Sequence, residues 1–136
     1  MITRQQEEAI NKWCDRALVL VNNQAKIALK KEDPERGTCY CIGGVFLDTI
    51  NLEEHGYAWV NGDVLAATYI VKNVSAKSWY GMGPVVPADV FQKVTGLKRE
   101  FMTALMVRND RDGTGFVELV RVIRLAMKDE STHVLA

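Results

Sequence analysis

The side chains in this chain with the chemistry of a catalytic or metal centre are Cys39, Cys41 and His55, with Cys14, His133 and the stretch Asn109 to Gly115 as further candidates. A Cys-x-Cys pair can ligate zinc, but a tetrahedral site needs four donors, and no second closely spaced cysteine pair accompanies this one. For nucleophilic catalysis a thiol needs a base within reach. His55, beside Glu53 and Glu54, is the partner available to Cys39 or Cys41. That pairing would make the chain a small hydrolase or transferase. On a helix, however, residues two apart point about 200° away from each other, which is poor for chelation. Reduced cysteines are also among the most buried residue types. The reading preferred from sequence is packing, with catalytic residues unknown and neither a metal site nor a cofactor expected.

The second candidate is Asn109-Asp110-Arg111-Asp112-Gly113-Thr114-Gly115-Phe116. Counted from Asp110, the acidic residues and Gly115 fall at EF-hand spacing, but the closing bidentate carboxylate is replaced by Arg121. A cation there would repel calcium. The alternative is a turn, in which Asn, Asp and Gly supply unusual backbone angles and Thr114 caps the next helix. Gly113 or Gly115 is then expected at positive φ, and Asp110 or Asp112 should turn onto backbone N–H groups or the start of that helix. Phe116 should pack inward against Phe101 and Leu105. Binding candidates lie elsewhere. Trp79-Tyr80 sits in a glycine-rich loop, and aromatics in such loops either fold inward or make contacts. Arg121, Arg124 and Lys128 share one helix face, as dipole complements or as an anion-binding stripe.

Totals narrow the function classes. The 136 residues fit one domain, 1–136, with 48% hydrophobic and 25% charged residues. Lys plus Arg and Asp plus Glu both total 17, so the net charge is zero, and a dedicated nucleic-acid binder is not expected. No apolar run approaches membrane-spanning length, and the first residues are polar and acidic rather than signal-like. A cytoplasmic, reducing setting is expected, with three unpaired cysteines.

The elements that must position these residues follow from periodicity. Thr3 with Gln6 forms a capping box opening a helix whose apolar face is Ile10, Trp13, Cys14, Ala17, Leu18 and Val21, stopping at Asn22-Asn23. KKEDPER reads as a solvated connection. Cys39 to about Asn51 reads as a buried helix capped by Thr38, with Gly43-Gly44 admitting a close backbone approach; a short strand from Val45 to Leu47 is the alternative, because period alone does not type a buried apolar run. Two or three strands are expected between Tyr57 and Val74, turning at Asn61-Gly62. Pro87 opens a helix that Gly96 closes. Leu97, Phe101, Leu105 and Met106 mark another, and Phe116, Leu119, Val120, Ile123 and Met127 the last. The predicted fold is α+β, a mainly helical single domain with a small antiparallel hairpin or three-stranded sheet in the middle.

Four stretches carry a resemblance. They are a Trp-bearing first helix followed by a basic connection, Cys39-Tyr40-Cys41-Ile42-Gly43-Gly44-Val45-Phe46-Leu47-Asp48, Val86-Pro87-Ala88-Asp89-Val90 with Gly96-Leu97, and Asn109, Asp110, Gly113, Phe116, Glu118 and Leu119. In this order they resemble a family of small proteins of unassigned activity from bacteriophages, prophages and actinobacterial genomes. An additional glycine, Leu47 in place of a cysteine, and Arg111-Asp112 before Gly113 depart from that pattern. The resemblance implies a viral or prophage origin and location in a bacterial host cytoplasm. The expected function is a phage-type accessory protein that binds a host protein or small ligand without turnover, in counter-defence or host takeover. A Cys/His hydrolase or transferase and a nucleic-acid-associated protein are the alternatives. No membrane partner is expected, and the oligomeric state, a homodimer included, stays open.

Overall fold

In a computed structural model that describes residues 2–63, 68–73 and 86–135, the chain is α+β and mainly helical. The first helix, α1 (Arg4–Val19), begins at the expected capping box: Thr3 Oγ1 accepts from Gln6 N at 3.1 Å and Gln6 Oε1 from Thr3 N at 2.9 Å. Ile10, Trp13, Cys14 and Ala17 are its buried face. The helix stops before Asn22, so Val21 lies beyond it and Leu18 is 36% exposed, not part of the core stripe.

The connection expected to be solvated is instead a β-hairpin. Strand β1 (Lys30–Asp33) pairs antiparallel with β2 (Gly37–Tyr40). Its turn is local chemistry: Asp33 Oδ1 accepts from Glu35 N at 2.9 Å and Arg36 N at 3.0 Å, Pro34 presets φ, and Gly37 takes φ +79°. Those N–H bonds, first that from Arg36, lower the Asp33 pKa below its usual value. Strands β3 (Tyr57–Asp63) and β4 (Thr68–Asn73) form the expected second hairpin. Asn61-Gly62 is not its turn. The pair lies within β3, where the register shifts between Asn61 and Asp63. Strand β1 also pairs with β4, joining the hairpins into one four-stranded antiparallel sheet, β2-β1-β4-β3, one strand more than expected.

Helix α2 is shorter than its sequence pattern suggested. Cys39 belongs to β2, and α2 spans Ile42–Thr49 with Cys41, not Thr38, at its N-cap: Cys41 Sγ accepts from Gly44 N at 3.4 Å. A 3-10 turn (Leu52–His55) follows and ends at Gly56, φ +77°. Helix α3 (Ala88–Thr95) starts after Pro87 and stops at Gly96, φ +73°. Helices α4 (Arg99–Asp110) and α5 (Phe116–Leu135) complete the order.

Helices α1, α2 and α3 meet through three rings. Trp13, Phe46 and Phe91 stack edge to face at centroid distances of 5.3 to 5.8 Å, near the favoured spacing for aromatic pairs. Trp13 Nε1 donates to Ile42 O at 3.0 Å, so its buried polar handle is satisfied. Helix α5 packs on α1 with Phe116, Leu119, Val120 and Ile123 buried and Met127 at the edge of the core. Gly43-Gly44 admits the expected close approach. The Leu29 carbonyl oxygen occupies the place where a Cβ on Gly44 would stand, and a Cβ on Gly43 would fall 2.6 Å from Val86 Cγ2.

Gly44→Ala is therefore expected to cost at least about 3 kcal/mol, because the obstacle is backbone and cannot rotate away. Gly56→Ala, at positive φ but with open space around its Cβ, should cost only about 1 kcal/mol. Urea unfolding of both variants checks the contrast; equal losses would contradict it.

Candidate functional site

All three thiols are buried. Cys39 sits on β2 in a small cluster with Ala25 and Ala28, its thiol donating to Gly37 O at 3.7 Å. Cys41 heads α2, with its sulfur 3.8 Å from Met106 Sδ. Burial pushes the Cys41 thiol up to about 12 and the Cys14 thiol up to about 11, the latter despite the opposing Arg124 guanidinium. His55 lies past the other end of α2, whose eight residues span about 12 Å. Cys41 thus caps the start of α2, and His55 ends the 3-10 turn that follows it. A protonated, enclosed thiol is a poor nucleophile and a poor ligand. Among the described residues no three His, Cys, Asp or Glu side chains gather as a metal cage.

The basic stripe on α5 is partly spent on neighbours. Arg124 Nη2 lies 3.2 Å from Asp15 Oδ1 of α1, and Arg121 Nη1 lies 3.5 Å from Glu118 Oε2. Lys128 is exposed on the same helix. Trp79 and Tyr80 fall outside the described residues. Among those residues, no helix is long and apolar enough to cross a membrane.

The turn motif is where the structure concentrates polar contacts. Asn109 is fully buried in α4 and uses both ends of its carboxamide. Its Oδ1 accepts from Ile42 N at 3.0 Å and from Gln24 Nε2 at 2.9 Å. Its Nδ2 donates to Ala25 O at 2.9 Å and to Asp110 Oδ1 at 2.8 Å. The carboxylate of Asp110 also accepts from Ile27 N at 3.0 Å, and Gln24 Nε2 reaches Thr114 O at 2.7 Å. The expectation for this loop holds in part: Gly113 takes φ +68° and Phe116 is buried with Leu105 in the core. Asp110 turns its carboxylate onto a backbone N–H, as expected, but the one it reaches is that of Ile27 in the distant loop between α1 and β1. Sequence reasoning placed Asn109 in the turn and missed its reach. The available signal was its register, since Met102, Leu105 and Asn109 fall three and four apart on the buried face of α4.

Asp48 is a second polar link that sequence reasoning left without a role. Its Oδ1 accepts from the Tyr40 hydroxyl at 3.1 Å, and its Oδ2 faces Arg16 Nε at 3.3 Å. Burial first, and then the Asp48 charge, raise the Tyr40 pKa to about 12. Tyr57 is shifted upward too, by burial and then by Asp89 of α3.

Between α3 and α4 lies a concavity of about 440 Å³, lined by Val86, Ala88, Phe91, Met102, Thr103 and Met106. Arg99 and Asp110, the first and last residues of α4, share that lining. An apolar floor with opposite charges set apart suits an elongated apolar ligand or peptide side chains with polar ends. No protein-family model, no curated protein and no solved structure matches the chain.

Iodoacetamide at mildly alkaline pH should label Cys41 only as fast as the protein unfolds, while denatured chain reacts at once. Folding raises this pKa, so the linked stability is complete below the ordinary value of 9.0 and is lost as pH rises toward about 12. Fast native labelling of Cys41 would contradict its burial.

Proposed function

We propose that the protein is a phage-type accessory protein that acts by binding a host protein or small ligand, without turnover. The observation that carries this reading is the α3–α4 concavity, with its methionine-lined apolar floor and charged ends. Methionine is polarizable and conformationally adaptable, which suits a surface that must fit a partner. Further support comes from where the reactive groups are spent: Cys41 packs against Met106, and Asp48, Asn109 and Asp110 each bridge separate elements of the fold. The resemblance to phage and prophage proteins supports the origin and a role in counter-defence or host takeover.

Thr103 is exposed on the rim, so Thr103→Trp should fill the concavity and leave the fold intact. Fragment screening by ligand-observed NMR should find apolar fragments with polar ends that shift the Met102 and Met106 methyl signals. Pull-down from a bacterial lysate should retain a protein if the natural ligand is one. Thr103→Trp should weaken either interaction roughly tenfold or more. If no fragment or protein binds, or if the variant binds as tightly as the parent, the reading fails.

A further inference from the structure

Helix α4 turns one continuous stripe toward the α3–α4 concavity. Arg99, Thr103, Met106 and Asp110 fall four, three and four apart, so they stand in line along one helix face, and all four line the cavity. Arg99 opens the helix and Asp110 ends it, which sets their Cα atoms about 16 Å apart along the axis. Between these charges the lining is apolar, with Met102 and Met106 on α4 facing Val86 and Phe91. The Thr103 hydroxyl on the stripe is already engaged, donating to Arg99 O at 3.2 Å.

Both charges keep capacity for a ligand. Asp110 Oδ1 accepts from Ile27 N and Asn109 Nδ2, and among the described residues its Oδ2 has no protein partner. Arg99 Nε lies 3.6 Å from Glu100 Oε1 in an exposed pair, an arrangement that contributes little, and its two Nη atoms have no partner among those residues. A guanidinium binds a carboxylate through two parallel N–H bonds, and a carboxylate binds an ammonium. The ligand that matches both ends and the floor is therefore a zwitterion with an apolar body of comparable length. An extended chain advances about 3.3 Å per residue, so a peptide of about five residues with both termini free has that length. We propose that the concavity takes a short apolar peptide in extended form, its C-terminal carboxylate on Arg99 and its N-terminal ammonium on Asp110. This rests on the concavity being the binding site and adds the ligand's class, length and direction. A fatty acid would leave Asp110 unmatched, and an internal stretch of a folded protein has no free termini to offer.

Calorimetry on the full chain with alanine–leucine peptides of graded length and free termini should show affinity peaking at about five residues. N-acetylation and C-amidation of the best peptide should each weaken binding roughly tenfold. Affinity for the free peptide should fall as pH rises through about 8, where a terminal ammonium loses its proton, while the acetylated peptide shows no such fall. Arg99→Gln, at an exposed helix start, should bind free and amidated peptides alike yet still discriminate against acetylation. Asp110→Asn should do the converse; should that variant unfold, the acetylation contrast on the parent protein reads the same contact. Shifts of the Met102 and Met106 methyl signals report whether the concavity is occupied. If apolar fragments shift these signals while the peptides do not, or if end-blocked peptides bind as tightly as free ones, the peptide proposal is overturned and the concavity stands as a ligand site. If neither fragments nor peptides shift them, the site itself is wrong and the proposal falls with it.

Discussion

The carboxamide of Asn109 joins three stretches of backbone that lie far apart in sequence. It accepts from the first N–H of α2, an orphan donor that the helix cannot satisfy itself, and donates to a carbonyl in the loop between α1 and β1. Through Asp110 and Gln24 the same network fastens that loop and the α4–α5 turn. A buried polar group is costly when its partners are missing, by about 1–3 kcal/mol for each unsatisfied group. With all of them present it specifies a single arrangement. Helix α2 is held at its start by Asn109, is pressed along its glycines by Leu29, and presents Phe46 to Trp13 and Phe91.

The four stretches behind the resemblance meet around this junction. Asn109 reaches Ile42, Met106 touches Cys41, and Val86 approaches Gly43. Phe116 and Trp13 share the core beneath. Cys41, Asp48, Asn109 and Asp110 therefore each help to hold separate elements together. The lining of the α3–α4 concavity contains no thiol.

Local rules explain which parts of the fold were legible in sequence. The Thr3–Gln6 capping box, the Gly96 stop and the α5 stripe depend on contacts within a turn or two, and each appears where expected. Strand β1 was missed because Lys30–Asp33 has no apolar alternation. Its strand character comes from pairing with β2 and β4, which no short window contains, although Asp33-Pro34 and Gly37 did encode the turn. The helix drawn from Cys39 began too early because a buried apolar run has no period to separate strand from helix. Asn61-Gly62 misled for a related reason: a glycine within a strand can mark an irregularity as readily as a turn. The reach of Asn109 depends on tertiary contact, and only its register hinted at it.

Native-state hydrogen exchange at the Ile42 amide addresses this account most directly. That proton lies at a helix start, where exchange is ordinarily easy, and its acceptor is the side chain of Asn109. If the Asn109 junction holds the fold together, the Ile42 amide exchanges only through global unfolding, with protection equal to that of amides in the buried middle of α1 and α5. Fast exchange by local opening, while those helices stay protected, would show that the junction opens independently and would contradict the account.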